Sequence, residues 1–319
     1  MKNIYLNIFP FNKKILNKIV KLLKKNKIIG LPTETVYGLA GNAYSKASIN
    51  KIYKLKGRPK YNPLIIHYFD LNRALEDVEA NSSFKKLYKK FSPGPITYIL
   101  KKKINSKIVS NATANLKTVA VRFPKQKNIR SILKKLDFPL AMPSANISSK
   151  VSPVKALDVY DEFKNKLNII VDGGKSKIGI ESTVIDLTGD PKLLRPGIIS
   201  HFKIQKILRV RIKTNFKISK INSPGLLKKH YSPGIPVLIN QKKHDKNSAF
   251  IYLGNKYKNR KKFFSLSKKS NLKEAASNLY MLFRKIKKMG YKKIQIQKIP
   301  SRGSGLAIND RIKKAANYR

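Results

Sequence analysis

The sequence predicts an α/β protein built from two units, and three observations carry this prediction. Its 319 residues exceed one typical domain. Short apolar runs, as expected for buried strands, alternate with amphipathic stretches, as expected for helices. Hydrophobic residues make up 41% of the chain, which is enough to give each unit a core. We expect a first unit over residues 1–205, an ordered linker over 206–235 and a smaller α/β unit over 236–319.

The first unit begins with an amphipathic helix within residues 11–26, because its apolar side chains share one helical face and lysines lie opposite. The string KIIGLPTETVYGLA then predicts a short buried strand that Pro32 ends, a polar turn and a second apolar segment. Further strands are predicted at NPLIIHYF, ITYILKK, TVAVRFP, NIIVDGG and STVIDLT. Further helices are predicted near residues 45–56, 82–90, 128–136 and 155–163. This alternation favours one twisted sheet with flanking helices.

The pattern changes after residue 205. The string RVRIKTNFKISKINSPGLLKKHYSPGIPVLI contains three prolines and two glycines but no long periodic segment, which indicates an ordered linker. From Pro236 onward, strands are predicted at PVLI, SAFIYLG, KKFFSLS and KKIQIQKI. Helices are predicted near residues 271–289 and 305–316. The sequence therefore predicts a small second α/β unit.

Composition excludes several classes of protein. The chain has no cysteine, which excludes disulfides, thiolate nucleophiles and cysteine zinc sites, and it has only four scattered histidines. No apolar run approaches the roughly 18 residues of a membrane span, and the first residues lack the apolar stretch of a secretory signal. We expect a cytoplasmic protein that does not use a membrane.

The net charge of +54 leaves two interpretations open. Such a charge would favour binding to a nucleic acid, because basic groups that neutralise phosphates release the counterions bound there. The lysines are, however, spread through every segment and do not form arginine-rich or aromatic-interleaved clusters, which favours compositional bias. Direct RNA binding is therefore an open alternative.

Three polar clusters follow predicted strands, where α/β proteins commonly build their sites. Taken singly, each cluster has an ordinary structural explanation as a helix cap, a turn or a solvated face. Their members are Thr33, Glu34, Thr35, Tyr37 and Gly38 in the first, Lys56, Arg58, Asn62 and His67 in the second, and Ser144 and Asn146 in the third.

The second cluster suits a polyphosphate. Arg58 offers a planar fork to phosphate oxygens, and Lys56 offers a point charge. Walker and Rossmann glycine loops are missing, and neither a Ser-His-Asp system nor paired carboxylates can be nominated. This favours catalysis by positioning and charge neutralisation, as in nucleotidyl transfer from ATP assisted by Mg²⁺.

The order of the motifs resembles a known family. GLPTETVYGLA, KIYKLKGRPKYNPLIIHY, SPGPITYIL, TVAVRFP, PSANIS, VDGG, GIESTVIDL and LLRPGII resemble the YrdC-like domain of threonylcarbamoyl-AMP synthases. SPGLLKKHYSPGIPV and the ending GSGLAINDRIKKAA resemble the long two-domain form of that family. The resemblance implies a YrdC-like twisted mixed sheet with flanking helices, and a smaller Rossmann-like α/β domain. It also implies synthesis of L-threonylcarbamoyladenylate and pyrophosphate for tRNA threonylcarbamoyladenosine modification.

The resemblance implies the following site residues and partners. ATP would contact Arg58, Asn62, Thr118, Ser144, Asn146, Ser152, Arg195 and Tyr231. L-threonine would contact Thr35, His67, Arg122, the Met142 backbone and Ser182. Lys56 and Arg58 would be catalytic, and Tyr231 would let the linker cross the active site and close over the nucleotide. The substrates would be ATP with Mg²⁺, L-threonine and bicarbonate, no metal would be held by the protein alone, and the product would pass to tRNA-modifying proteins.

Two positions depart from the family pattern: Ser149 stands where a glycine is usual, and Gln126 stands where a histidine is frequent. Both put local loop shape in doubt more than activity. Two alternatives to the synthase stay open at the level of sequence. One is a non-catalytic RNA-binding protein, and the other is a related carbamoyl-transfer module acting on another acceptor.

Overall fold

The computed structural model describes residues 7–214, 230–245, 247–257 and 260–317. These residues form a ten-stranded mixed sheet and a separate four-stranded sheet, each with helices packed against it, which confirms the α/β prediction. The large sheet has the strand order β1-β8-β2-β3-β7-β4-β6-β5-β9-β10. The small sheet has the order β11-β14-β12-β13, and all its neighbouring strands are parallel.

The strands are β1 Ile8–Pro10, β2 Ile29–Leu31, β3 Gly38–Asn42, β4 Ile65–His67, β5 Ile96–Lys101, β6 Thr118–Arg122, β7 Leu140–Ala141, β8 Ile170–Asp172, β9 Thr183–Asp186, β10 Lys192–Arg195, β11 Val237–Leu238, β12 Ala249–Tyr252, β13 Phe263–Ser265 and β14 Ile294–Ile296. The helices are α1 Lys13–Lys24, α2 Lys46–Lys56, α3 Leu71–Leu75, α4 Ser82–Phe91, α5 Lys127–Lys135, α6 Ala156–Phe163, α7 His201–Leu208, α8 Leu272–Lys288 and α9 Gly305–Ala316. Two short 3-10 helices lie at Ser110–Thr113 and Lys164–Lys166.

Local sequence sets the ends of α2, the helix that carries the Lys-x-Arg pair. The Ser45 hydroxyl accepts a hydrogen bond from the backbone N–H of Ser48, which caps the start of the helix. Gly57 ends the helix in the left-handed conformation at φ 57°, where a glycine avoids the strain that a β-carbon would bring. Arg58 consequently lies just outside the helix, on the loop that leads to β4.

The central strands of the large sheet bring three predicted site residues close together. Strands β4 and β6 are parallel, and their register places His67 opposite Arg122. Strand β7 pairs with β4 on its other side, and the Met142 N–H after β7 donates to the carbonyl of Ile65 at 2.8 Å. His67 and Arg122 therefore lie side by side at the ends of β4 and β6, and Met142 lies beside the start of β4.

The small sheet is joined to the large one by a shared apolar core. Val36, Val151 and Ile180 from loops of the large sheet are buried in the same cluster as Leu279 of α8 and Ile308 of α9. The prediction that this second unit is Rossmann-like goes further than its parallel strands, and it stays a prediction.

The predicted boundaries at 205 and 236 also stay predictions. Helix α7 continues through residue 205, and its Ile204 and Leu208 are buried in the core of the large sheet. Most of the predicted linker, residues 215–229, lies outside the described residues.

The sequence predicted most of these elements and missed β1, β7, β10, α3, α7 and the two 3-10 helices. Each missed element is short, and β7 has only two residues. Within the described ranges, no helix combines the length and the apolar character that crossing a membrane requires.

Candidate active site

One pocket lies where the central strands end and the second unit packs against them. It encloses about 560 Å³ of space not filled by atoms, including the part open to solvent. The predicted site residues that line it are Thr35, Arg58, His67, Arg122, Met142, Ser144, Arg195 and Tyr231. The structure therefore brings members of the predicted ATP set and of the predicted threonine set to one cavity.

Arg58 is fixed by the loop that follows α2. Its Nε donates to the Asn62 carbonyl at 3.0 Å, and its Nη2 donates to Asn62 Oδ1 at 2.6 Å and to the Pro63 carbonyl at 2.7 Å. Burial, together with the nearby Arg195 charge, lowers the pKa of Arg58 to about 10, so it stays protonated at neutral pH. Asn62 does not line the pocket itself. Its contribution in the structure is to hold the Arg58 guanidinium.

Arg122 is paired with Glu34, the acidic residue of the Thr-Glu-Thr turn. Arg122 Nη2 donates to Glu34 Oε1 at 2.7 Å, and both side chains are largely buried. Burial would raise the pKa of Glu34, but the Arg122 charge and hydrogen bond outweigh it and hold that pKa below its ordinary value. The pair is therefore ionised, and Arg122 Nε is left without a hydrogen-bond partner among the described residues.

His67 is a neutral imidazole in this pocket. Burial first, and the Arg122 charge second, lower its pKa well below the ordinary value. Its Nδ1 lies 3.2 Å from the Ile65 carbonyl, which can only accept, so a hydrogen bond there requires the proton on Nδ1. Nε2 is then an acceptor, and it has no partner in the described part of the chain.

Ser182 and Arg195 form a buried pair beside the pocket. Arg195 Nε donates to the Ser182 carbonyl at 3.0 Å, and its Nη2 donates to the Ser182 hydroxyl at 3.1 Å. The same hydroxyl lies 2.7 Å from that of Thr97. A residue of the predicted threonine set is thereby tied to one of the predicted ATP set.

Lys56 supports the third polar cluster. It is 1% exposed, and its Nζ donates to the carbonyls of Ser144 and Asn146 at 2.5 Å each. The Asn146 amide nitrogen donates in turn to the carbonyls of Ile147 and Lys150. Lys56 and Asn146 do not line the pocket, and in this structure they hold the loop that carries Ser144. The catalytic role of Lys56 stays a prediction.

Two other predicted ATP contacts lie outside the pocket lining. Thr118 begins β6, at the opposite end of the strand from Arg122. Ser152 is buried, and its hydroxyl donates to Glu181 Oε1 at 2.6 Å. The assignment of both residues to ATP binding stays a prediction.

The pocket contains two titratable residues that the sequence prediction missed, Glu181 and His230. Glu181 Oε2 accepts from the Tyr280 hydroxyl and from Arg311 Nε, each at 2.9 Å. Burial would raise the pKa of Glu181, but the charges of Arg311 and Arg195 lower it to about 2. One signal could have revealed Glu181: it is a single acid inside the apolar string IGIESTVI, in a chain with 16 acidic residues.

His230 and Tyr231 lie in the described part of the predicted linker, near its end. Their rings lie 4.0 Å apart, and the ring of Tyr231 lies 5.7 Å from that of Tyr280. Burial lowers the pKa of His230 to about 3, so it is neutral at physiological pH. The buried Tyr231 hydroxyl has no partner among the described residues.

The two departures from the family pattern have local consequences. Ser149 has φ 68°, a conformation that glycine adopts without strain, and its carbonyl accepts from the Ser232 N–H at 2.9 Å. Gln126 caps α5 by accepting a hydrogen bond from the Ile129 N–H at 3.1 Å. Neither residue lines the pocket.

Two family models match consecutive parts of the chain. A model described as "Telomere recombination" matches residues 21–197, and one described as "Threonylcarbamoyl-AMP synthase, C-terminal domain" matches residues 199–317. The chain belongs to the threonylcarbamoyl-AMP synthase family. The predicted resemblance is thereby confirmed.

Relatives in this family are similar to the chain along most of its length. A threonylcarbamoyl-AMP synthase of Pyrococcus abyssi is 35% identical, with 93% of this chain and 92% of that protein covered. A synthase of Bacillus subtilis is 34% identical over the same shares of the two chains. The crystal structure of P. abyssi Sua5 complexed with L-threonine superposes with a TM-score of 0.88 at 32% identity and covers 98% of this chain and 97% of that chain. These similarities confirm the prediction of an enzyme over that of a non-catalytic RNA-binding protein.

Proposed function

We propose that this protein is an L-threonylcarbamoyladenylate synthase, which makes L-threonylcarbamoyl-AMP and pyrophosphate from L-threonine, CO₂ derived from bicarbonate, and ATP. The observation that carries the proposal is that residues of the predicted ATP and threonine sets line one pocket. A relative that matches 93% of this chain is named threonylcarbamoyl-AMP synthase, and one similar structure is a complex with L-threonine.

Arg122 and His67 supply groups that threonine requires, and Thr35, whose Oγ1 lies 2.8 Å from Thr33 Oγ1, lines the same pocket. Arg122 offers a guanidinium to the carboxylate, with its Nε free of a partner among the described residues. The unpaired His67 Nε2 can accept a hydrogen bond from the threonine hydroxyl or amine. The carboxylate of threonine would share Arg122 with Glu34. When threonine is not bound, Glu34 alone pairs with the guanidinium, so the charge of Arg122 is never left unpaired in the pocket.

Arg58 and Arg195 supply positive charge for the ATP phosphates, and both are held by hydrogen bonds before any ligand arrives. Such preorganised cations stabilise the charge that develops on the α-phosphate without reorganising during the reaction. The described residues contain no group of three or more His, Cys, Asp or Glu side chains that could hold a metal. We propose that Mg²⁺ arrives with ATP and is held mainly by its phosphates, as is usual for this ion.

The proposed chemistry has two steps. The threonine amine attacks the carbon of CO₂, forms an N–C bond and releases a proton to give a carbamate. A carbamate oxygen then attacks the α-phosphorus of ATP, and the bond from that phosphorus to the oxygen bridging the β-phosphate breaks, so that pyrophosphate leaves. Alignment and charge neutralisation do most of this work, which suits a pocket rich in fixed arginines.

Mass spectrometry of the product tests the proposal. Incubation of the protein with ATP, Mg²⁺, L-threonine and ¹³C-bicarbonate should give threonylcarbamoyl-AMP that carries the label. Arg58→Ala should lower the rate by about 100-fold or more, because one preorganised charge at the reacting group is lost. The matched control is Arg302→Ala, since Arg302 is exposed and does not line the pocket. A labelled product that forms equally fast in the Arg58 variant would refute the role of Arg58.

Delivery of the intermediate to tRNA-modifying proteins follows from the same proposal, because an acyl adenylate is a reactive donor that needs an acceptor. Direct RNA binding by the basic surface and a cytoplasmic location also remain proposals.

A further inference from the structure

Arg311 on the last helix is completely buried, although helix α9 belongs to the second unit. Its Nε donates to Glu181 Oε2 at 2.9 Å, and its Nη1 donates to the Pro196 carbonyl at 2.8 Å and to Asp310 Oδ2 at 2.6 Å. Its Nη2 is buried without a hydrogen-bond partner in the described ranges. A buried guanidinium is costly to desolvate, so its contacts need an explanation beyond packing.

The two first-unit contacts of Arg311 flank the buried Ser182–Arg195 pair in sequence. Glu181 immediately precedes Ser182, and Pro196 immediately follows Arg195. The Arg311 guanidinium therefore connects the two chain segments that carry this pair. Its hydrogen bonds to Glu181 and Pro196 both have normal lengths. Any displacement of Arg311 would act on two residues that the proposed reaction places against threonine and ATP.

Arg311 also contacts Tyr231, an aromatic residue that lines the pocket. Its guanidinium carbon lies 5.3 Å from the centre of the Tyr231 ring, within the range of a cation–π interaction. Tyr280 of α8 is 5.7 Å from Tyr231, ring to ring, and donates to the same Glu181 oxygen as Arg311. Two helices of the second unit thus hold Glu181 and Tyr231, both of which line the pocket.

The loop that carries Glu181 is fixed from its other side by the Thr-Glu-Thr turn. The Ile178 N–H donates to the Glu34 carbonyl at 2.9 Å, and the Gly179 N–H donates to the Thr35 carbonyl at 3.0 Å. Because the loop is already tied to the first unit, Arg311 adds a second fixed point rather than closing a free segment.

We propose that Arg311 is a positioning residue for the adenylation reaction, and that through it the second unit forms part of the active site. This inference rests on the proposed function. Arg311 acts through Glu181 and the Pro196 carbonyl, which set the position of the Ser182–Arg195 pair, and through the ring of Tyr231. It is not required to touch either substrate.

Steady-state kinetics of the full chain tests this role. Arg311→Met should lower kcat for threonylcarbamoyl-AMP formation by about 10- to 100-fold, because small misplacements of substrate-aligning groups have effects of this size. Arg311→Lys retains the charge but not the fork that reaches Glu181 and Pro196 together, so we expect a smaller loss. Arg302→Met is the matched control and should retain the wild-type kcat.

A double variant distinguishes positioning from simple stabilisation. Arg311→Met combined with Glu181→Gln should lose no more activity than the more affected single variant, because both residues act in one network. Thermal unfolding of each protein separates loss of folded enzyme from loss of kcat per folded enzyme. Losses that multiply in the double variant, or a folded Arg311→Met protein with wild-type kcat and KM values, would overturn the proposal.

Two further outcomes, a variant that does not fold and an inactive wild type, also decide the proposal. If Arg311→Met does not fold, Arg311→Lys decides by the same criterion: a reduced kcat in the folded protein supports positioning, and a wild-type kcat overturns it. If the wild type makes no threonylcarbamoyl-AMP, the proposed function fails first, and positioning for that reaction fails with it.

Discussion

Gly179, in the loop that carries Glu181, lies against helix α8 of the second unit, and its substitution gives a sharp prediction. The residue has φ 75°, and a β-carbon added there would lie 2.5 Å from Ser277 Cα and 2.7 Å from the Ser277 carbonyl oxygen. Ordinary contacts begin near 3.4 Å, so Gly179→Ala would have to push helix α8 away by about 1 Å.

The expected destabilisation has two parts. Alanine in the left-handed conformation costs about 1–2 kcal/mol, and overpacking a tight backbone contact costs about 1–3 kcal/mol more. Gly174→Ala isolates the first part, because Gly174 has φ 72° in the same connection and an added β-carbon would meet nothing within 4 Å. Gly179→Ala should therefore lower the free energy of unfolding by about 2–5 kcal/mol, and Gly174→Ala by about 1–2 kcal/mol.

Urea unfolding of both variants at neutral pH measures this difference. Gly179→Ala should also lower kcat per folded protein, because moving α8 draws the Tyr280 hydroxyl away from Glu181. Equal destabilisation by the two substitutions would show that α8 does not pack tightly against Gly179 and would contradict this prediction.

Two other predictions concern the charged groups of the pocket. Arg122→Gln should raise the KM for L-threonine by about 10- to 100-fold, because a hydrogen bond to the substrate carboxylate is lost, and should change the KM for ATP little. Initial rates at varied concentrations of each substrate measure both KM values. A rise confined to the KM for ATP would contradict this role of Arg122. The pKa of Glu181 is lowered from its ordinary value of 4.5 to about 2 in the folded protein. Its ionised carboxylate therefore stabilises the fold fully above pH 4.5, and this stabilisation is lost as the pH falls toward about 2. This loss should reach about 2 kcal/mol at pH 3 and be missing in Glu181→Gln. Urea unfolding at pH 7 and pH 3 tests it, and an equal loss in both proteins would contradict the assignment.

Much of the fold could be predicted from sequence because the longer elements carry a clear period. The amphipathic pattern of α1 and the apolar run of β5 identify both elements without tertiary information. Strands such as β7 have no such signal, because two residues cannot display an alternation. Strand order was beyond prediction for another reason: β7 inserts between β3 and β4 through backbone pairing that no local pattern encodes.

The site was predictable to the extent that motifs mark its residues. Arg58, Arg122 and Arg195 lie in recognisable strings, and the fold brings them to one pocket. Arg311 was missed as a contributor because its role depends on the packing of the second unit against the first. The supporting position of Lys56 was also hidden, since sequence shows a cation but not the carbonyls it bonds.

Carbamate adenylation can be measured as pyrophosphate release from ATP in the presence of Mg²⁺, with L-threonine and bicarbonate omitted in turn from CO₂-depleted buffer. We expect release only when both are present, because the nucleophile is the carbamate that they form together. Release that continues unchanged without either of them would contradict carbamate adenylation in this pocket.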